Sequence, residues 1–233
     1  MIKYKFKNYT YTCEEEFIDE HEIPALNKEE AKDLLFRTQD LLKSIGVDIY
    51  LAYGTLLGAV RDKDFCKGDS DIDVYIKDEE TLFKNLENLR SKGFVLVRYL
   101  IHDEFTFRDL NNPKFFIDVG VLSKIHNIWG LYCYRLTKCY TPKKYLKEDD
   151  TINFLGREFK ITKNPERILE FWYYDTWNVP MAKFKQKYIY EVRSHYIYTQ
   201  IKHKFVMLGK KIFGDTIYKQ LRDRKLGREE MQG

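Results

Sequence analysis

Proline is scarce in this chain, with 5 in 233 residues, no segment is low-complexity, and none repeats. A linker, a tail or a repeat array is therefore excluded, and an aromatic content of 16% marks a folded protein able to bury a sizeable core. Cysteine is also sparse: Cys13, Cys66, Cys133 and Cys139 form no Cys-x-x-Cys pair, so a zinc site of the usual tight spacing is not encoded. Scattered thiols of this kind suit a reducing compartment. No apolar run is long enough to cross a bilayer, and Met1-Ile2-Lys3-Tyr4-Lys5 lacks the apolar core of a signal peptide. The expectation is a soluble, cytoplasmic protein.

Charge is present in both signs but unevenly placed. Net charge is +4, yet residues 183–228 carry thirteen Lys and Arg against only Glu191, Asp215 and Asp223. A basic C-terminal segment on an acidic body fits an anionic partner, such as a phosphorylated glycan, a membrane surface or nucleic acid; the alternative is a solvated helical face. Tyr188, Tyr190, Tyr196 and Tyr198 interleave with these cations, but nucleic acid is the weakest of the partners considered.

Helix and strand patterns alternate through the first two thirds. Asn27 with Glu30 reads as a helix start, and Ala31, Leu34, Leu35, Leu41, Leu42 and Ile45 lie mostly on one face before Gly46. Val47–Tyr53 reads as a strand, Leu56–Arg61 as a short helix, and Asp71–Ile76 as a strand. Asp78 caps a further helix that carries Leu82, Phe83, Leu86 and Leu89 inward and stops at Gly93. Phe94–Leu100, Glu104–Arg108 and Phe115–Leu122 read as strands, with a turn at Asn111-Asn112-Pro113. Thr151–Ile161 reads as a hairpin about Gly156, Asn164-Pro165 opens a helix, and the chain from Lys183 onward reads as helical. The fold class expected is α/β (α+β), a mixed sheet packed by helices.

The informative chemistry lies between Gly54 and Asp73. A Gly54-Thr55 turn enters a helix at the end of one strand, and Asp71 and Asp73 point to one face of the next strand, because side chains alternate. Two close carboxylates repel unless a cation sits between them, and Mg²⁺ takes such oxygen ligands together with substrate phosphates. Asp118, an acid in the apolar strand Phe115–Leu122, is the natural third carboxylate, as a metal ligand or as the base for an acceptor hydroxyl. Backbone N–H groups at Gly54, the Thr55 hydroxyl and the Arg61 guanidinium would serve a phosphate. Thr55 could instead be a helix cap, Arg61 half of an ion pair, Asp118 a paired strand-end acid and Asp69 an exposed loop acid. His102, Trp172, Tyr173 and Trp177 read as structural.

Gly54-Thr55-Leu56-Leu57-Gly58-Ala59-Val60-Arg61, followed without a gap by Asp69-Ser70-Asp71-Ile72-Asp73, resembles the LicD family of phosphocholine transferases and fukutin-type phosphotransferases. Ile117-Asp118-Val119 resembles the family's third acidic strand, and Phe171–Pro180 its distal Tyr-Gly-Asp-x-Trp element, with Tyr174 in place of the usual glycine. The loop differs at Asp64, Lys67, Gly68 and Ser70. The resemblance implies a nucleotidyltransferase fold and Mg²⁺- or Mn²⁺-dependent transfer of a phospho-alcohol from a CDP-linked donor to a glycan or lipid-linked glycan hydroxyl. Asp71, Asp73 and Asp118 would hold metal, and Gly54, Thr55 and Arg61 would line the phosphate site. A catalytic domain over residues 1–182 and a basic helical extension over 183–233 are expected, the latter meeting the acceptor or the inner membrane face. Two other readings stand beside this one: transfer of NMP from an NTP, and a non-catalytic binding module.

Overall fold

A computed structural model describes residues 1–13, 24–123, 126–128, 131–137, 139–173, 177–180 and 228–230. The chain opens with a hairpin, β1 (Ile2–Phe6) and β2 (Tyr9–Cys13), followed by the helix α1 (Lys28–Ser44). The Asn27 side chain caps α1 by accepting from the Glu29 and Glu30 amides. Ala31, Leu34, Leu35, Thr38, Leu41 and Leu42 form its buried stripe, at the three- and four-residue spacing of one helical face. Gly46, at φ 81°, ends it.

Next come β3 (Tyr50–Leu51) and α2 (Tyr53–Leu57), which widens into a π-helical turn over Gly58–Asp62. Then follow β4 (Asp71–Ile76), α3 (Glu79–Lys84), α4 (Leu86–Ser91), β5 (Phe94–Leu100), β6 (Glu104–Asp109) and β7 (Asn112–Val121). A small sheet of β8 (His126–Ile128), β9 (Leu131–Leu136) and β10 (Cys139–Pro142) precedes the hairpin β11 (Asp149–Phe154) and β12 (Arg157–Thr162), then α5 (Pro165–Tyr173). The last described strand, β13 (Arg228–Glu230), pairs antiparallel with β1.

The main sheet has seven strands in the order β11-β12-β3-β4-β7-β6-β5. Its pairs β12/β3 and β4/β7 are parallel and the rest antiparallel. This is the mixed α/β architecture expected. Register puts Ile72, Ile117 and Phe107 in one row and Val74, Val119 and Phe105 in the next, so one face of the central strands is entirely core. The opposite face of the same strands carries the acids.

Four local expectations are corrected. Of the strand expected over Val47–Tyr53 every residue but Asp48 is buried, yet only Tyr50–Leu51 joins the ladder. The helix after Asp78 is two helices broken at Asn85, whose side-chain amide donates to the Thr81 carbonyl and so competes with continued helix. The turn before β7 sits at Leu110-Asn111, starting one residue earlier than the expected Asn111-Asn112-Pro113, whose last two residues already belong to the strand. Within the basic segment, Arg228–Glu230 is a strand and not a helix; the rest of that segment, the proposed boundary at 182 and Tyr174 lie outside the described residues. Among the described residues no helix is long and apolar enough to cross a membrane.

Candidate active site

Asp71 and Asp73 stand on β4 and Asp118 on its parallel neighbour β7, where Asp73 and Asp118 are direct register partners. Each carboxylate offers an oxygen, and these oxygens all lie within 4.8 Å of one another. The three acids named from the sequence are thus brought together, half-buried. The cluster sits in the middle of the sheet, which fixes its carboxylates on stiff elements and not on loops.

Crowding of like charge in a partly dry place raises the proton affinity of Asp73 and of Asp118. Burial first, then Asp71, Asp69 and Asp118, hold the Asp73 carboxyl well above its usual range, against a lowering hydrogen bond from the Gly54 amide. Asp118 is pushed up to about 8 by burial, then by Glu104 and Asp71, with the Thr106 hydroxyl and Arg98 opposing. Only carboxylate oxygens enter the cluster, and such a donor set suits a hard divalent cation. The residues therefore fit Mg²⁺ or Mn²⁺.

The Gly54-Thr55 turn is built against these acids. The Gly54 N–H donates to Asp73 Oδ2 at 3.0 Å, and the Thr55 hydroxyl, buried, accepts from the Asp73 N–H at 2.9 Å. A side chain at position 54 would meet Asp69 Oδ2 at 2.5 Å and Asp73 Oδ2 at 3.1 Å, so only glycine lets the turn approach. Asp69, left open between loop acid and site acid by the sequence, is 9% exposed and faces this turn. Gly58 makes room elsewhere. A side chain there would press on the Asp64 carbonyl and the Cys66 amide, so its absence lets the loop fold back over the helix.

Arg61 faces that loop. Its guanidinium donates to both oxygens of Asp62, at 2.8 and 2.7 Å, and to the Trp177 carbonyl at 3.2 Å. A further contact to Cys66 Sγ at 3.5 Å links it to the site, because that thiol donates to the Gly54 carbonyl at 3.4 Å. Burial pushes the Cys66 thiol up to about 12, so it stays protonated as a donor.

Residues the sequence alone did not connect to the site complete its surroundings. Tyr53 takes φ 35° immediately before Gly54, a strained conformation for a non-glycine residue. It is held there by a hydrogen bond from its hydroxyl to the Leu136 carbonyl at 2.7 Å and by its ring lying 4.4 Å from that of Trp172. Gly120, two residues beyond Asp118, has no room for a side chain because Leu136 and Thr137 press on it, so the β9–β10 turn seats beside the acids. Thr106 and Glu104 on β6 project from the same face as Asp118. Their only sequence signal is strand alternation, and their relation to Asp118 depends on pairing register.

Residues 46–164, about half the chain, match the family described as LicD/FKTN/FKRP, nucleotidyltransferase domain. The chain belongs to this family. The LicD match contains the turn, the loop and all three acids. No curated protein matches the sequence. Among solved structures, the lincomycin-bound lincosamide antibiotic adenylyltransferase LnuA is 15% identical over 62% of this chain and 85% of its own, with a TM-score of 0.42. The antibiotic-resistance factor ANT(2'')-Ia is 14% identical over 85% and 98%, with a TM-score of 0.45. An antigenic nucleotidyltransferase-like protein from Paracoccidioides brasiliensis is 17% identical over 60% and 63%, with a TM-score of 0.36.

Proposed function

We propose that this LicD-family protein is a metal-dependent phosphotransferase that moves a phospho-alcohol, such as phosphocholine, from a CDP-linked donor to a glycan hydroxyl. The observation that carries the reading is the convergence of Asp71, Asp73 and Asp118 on one face of the sheet. These three would hold Mg²⁺ or Mn²⁺, which when bound supplies charge neutralisation for the donor's diphosphate. Gly54, Thr55 and Arg61 border the acids or their loop and would orient the phosphates. The hydroxyl oxygen of the acceptor bonds to the phosphorus bearing the alcohol, the bond from that phosphorus to CMP breaks, and the hydroxyl proton passes to a carboxylate of the cluster. The basic segment at 183–228 would meet a phosphorylated or lipid-linked acceptor, or the anionic membrane surface that carries it.

A second reading, transfer of NMP from an NTP, is favoured by the nucleotidyltransferase description of the matching family. One assay separates the two. Purified protein with Mg²⁺ is offered CDP-alcohols, ATP and CTP, with Asp71→Asn as control. CMP release from one CDP-alcohol, reduced at least ~100-fold in Asp71→Asn, is the expected result. Turnover of the nucleoside triphosphates alone would replace this reading with the second one.

A further inference from the structure

One row of register partners crosses four strands of the sheet: Asp73 on β4, Asp118 on β7, Thr106 on β6 and Arg98 on β5. The first two are acids of the cluster. The last two have no place in the LicD motif, yet they are wired to it. The Thr106 hydroxyl donates to Asp118 Oδ1 at 2.7 Å. Arg98 Nη2 donates to Thr106 Oγ1 at 3.2 Å and to Glu104 Oε1 at 2.8 Å. Thr106 and Glu104 are almost wholly buried, at 1% and 2% exposure, so water does not replace these partners.

The direction of the chain follows from donor chemistry. A guanidinium only donates, so Thr106 accepts from Arg98 and has one proton left to give. Two acceptors compete for it, Asp118 Oδ1 at 2.7 Å and Glu104 Oε1 at 3.5 Å, and the nearer wins. Glu104 is already served by Arg98, and it also holds the cation at one remove from Asp118. An arginine paired directly with Asp118 would neutralise that acid and compete with any metal.

We propose that Thr106, Arg98 and Glu104 are positioning residues for Asp118. Thr106 pins one carboxylate oxygen and so fixes the plane in which Asp118 meets Asp71 and Asp73. Arg98 sets the direction of the Thr106 proton, and Glu104 keeps the Arg98 charge off the cluster. This rests on the metal-centred reading above, and groups that orient a metal ligand commonly govern metal affinity by ~10–100-fold.

The test is Mn²⁺ binding to the full chain, titrated by electron paramagnetic resonance, with a thermal melt of each variant as the folding control. Thr106→Val keeps the shape and loses the hydroxyl, and its Mn²⁺ affinity is expected to fall ~10–100-fold, while Thr106→Ser restores it. Arg98→Lys, on the edge strand and partly exposed, keeps the charge but loses the forked donor, and is expected to weaken binding in the same direction. Wild-type affinity in folded Thr106→Val overturns the positioning role, since a purely structural threonine would lower the melting temperature and leave affinity alone. If Thr106→Val does not fold, wild-type affinity in Arg98→Lys overturns it instead. Absence of Mn²⁺ binding by the unaltered protein would overturn the metal-centred reading itself.

Discussion

Gly54 has no side chain because Asp69 and Asp73 already occupy the space: an added carbon would stand 2.5 Å from one carboxylate oxygen and 3.1 Å from another. The substitution Gly54→Ala therefore displaces acids and not merely backbone. Asp73 loses the registry of its 3.0 Å bond from the Gly54 amide, and a misplacement of about 1 Å at a reacting centre can cost ~100-fold in rate. Steady-state CMP release by Gly54→Ala is expected to fall by about that factor with the fold retained, as judged by circular dichroism. At this scale the sequence was largely legible. Strand alternation alone aligned Asp71 with Asp73, and an acid in an apolar run singled out Asp118. Thr106 and Glu104 were not legible, because they become neighbours of Asp118 only through the pairing of β6 with β7, which no local pattern encodes.

Trp172 ties three elements together. It lies on α5, its ring packs on Tyr53 of α2, and its indole N–H donates to the Thr141 hydroxyl on β10 at 3.0 Å. Through Tyr53 it supports the strained residue that delivers Gly54 to the acids. Trp172→Ala removes a side chain that is 1% exposed and should destabilise the protein by ~3–5 kcal/mol, read as a lower midpoint in urea unfolding. Elements with long amphipathic patterns and clear punctuation, such as α1 and the β11–β12 hairpin about Gly156, were readable in advance. The strands β8, β9 and β10 were not, and two of them, β8 and β10, are runs of only 3 and 4 residues, in which a period scarcely emerges. The break at Asn85 was hidden for another reason: the apolar positions on either side still share a face, and only a side-chain bond to Thr81 interrupts the helix.

At the scale of the whole molecule, the sheet puts its apolar side into one core and gathers acids on the other side of its central strands, β4 and β7. The order of those strands could not be read from the chain, because β12 reaches β3 and β4 reaches β7 across long stretches of sequence. Its consequence is a charge concentration that the fold must offset with protons or with metal. The sign of the pH effect follows. The carboxyl of Asp118 has a folded pKa of about 8, raised above the value of about 4 expected for an unfolded aspartate. Its contribution to stability is therefore complete below pH ~4 and is lost as pH rises through about 8, and Asp73 acts in the same direction. Chelator-treated protein should melt at a lower temperature at pH 8.5 than at pH 6. A divalent cation competes with those protons, so a given Mg²⁺ concentration should stabilise more at pH 8.5 than at pH 6; wherever it reaches 100 times its dissociation constant the stabilisation over metal-free protein is ~2.7 kcal/mol. Differential scanning calorimetry with and without Mg²⁺ measures both effects. Asp118→Asn, which cannot ionise, should flatten the pH dependence and diminish the response to Mg²⁺. A melting temperature of chelated wild-type protein that does not fall between pH 6 and 8.5 would show that the acids are not crowded in solution.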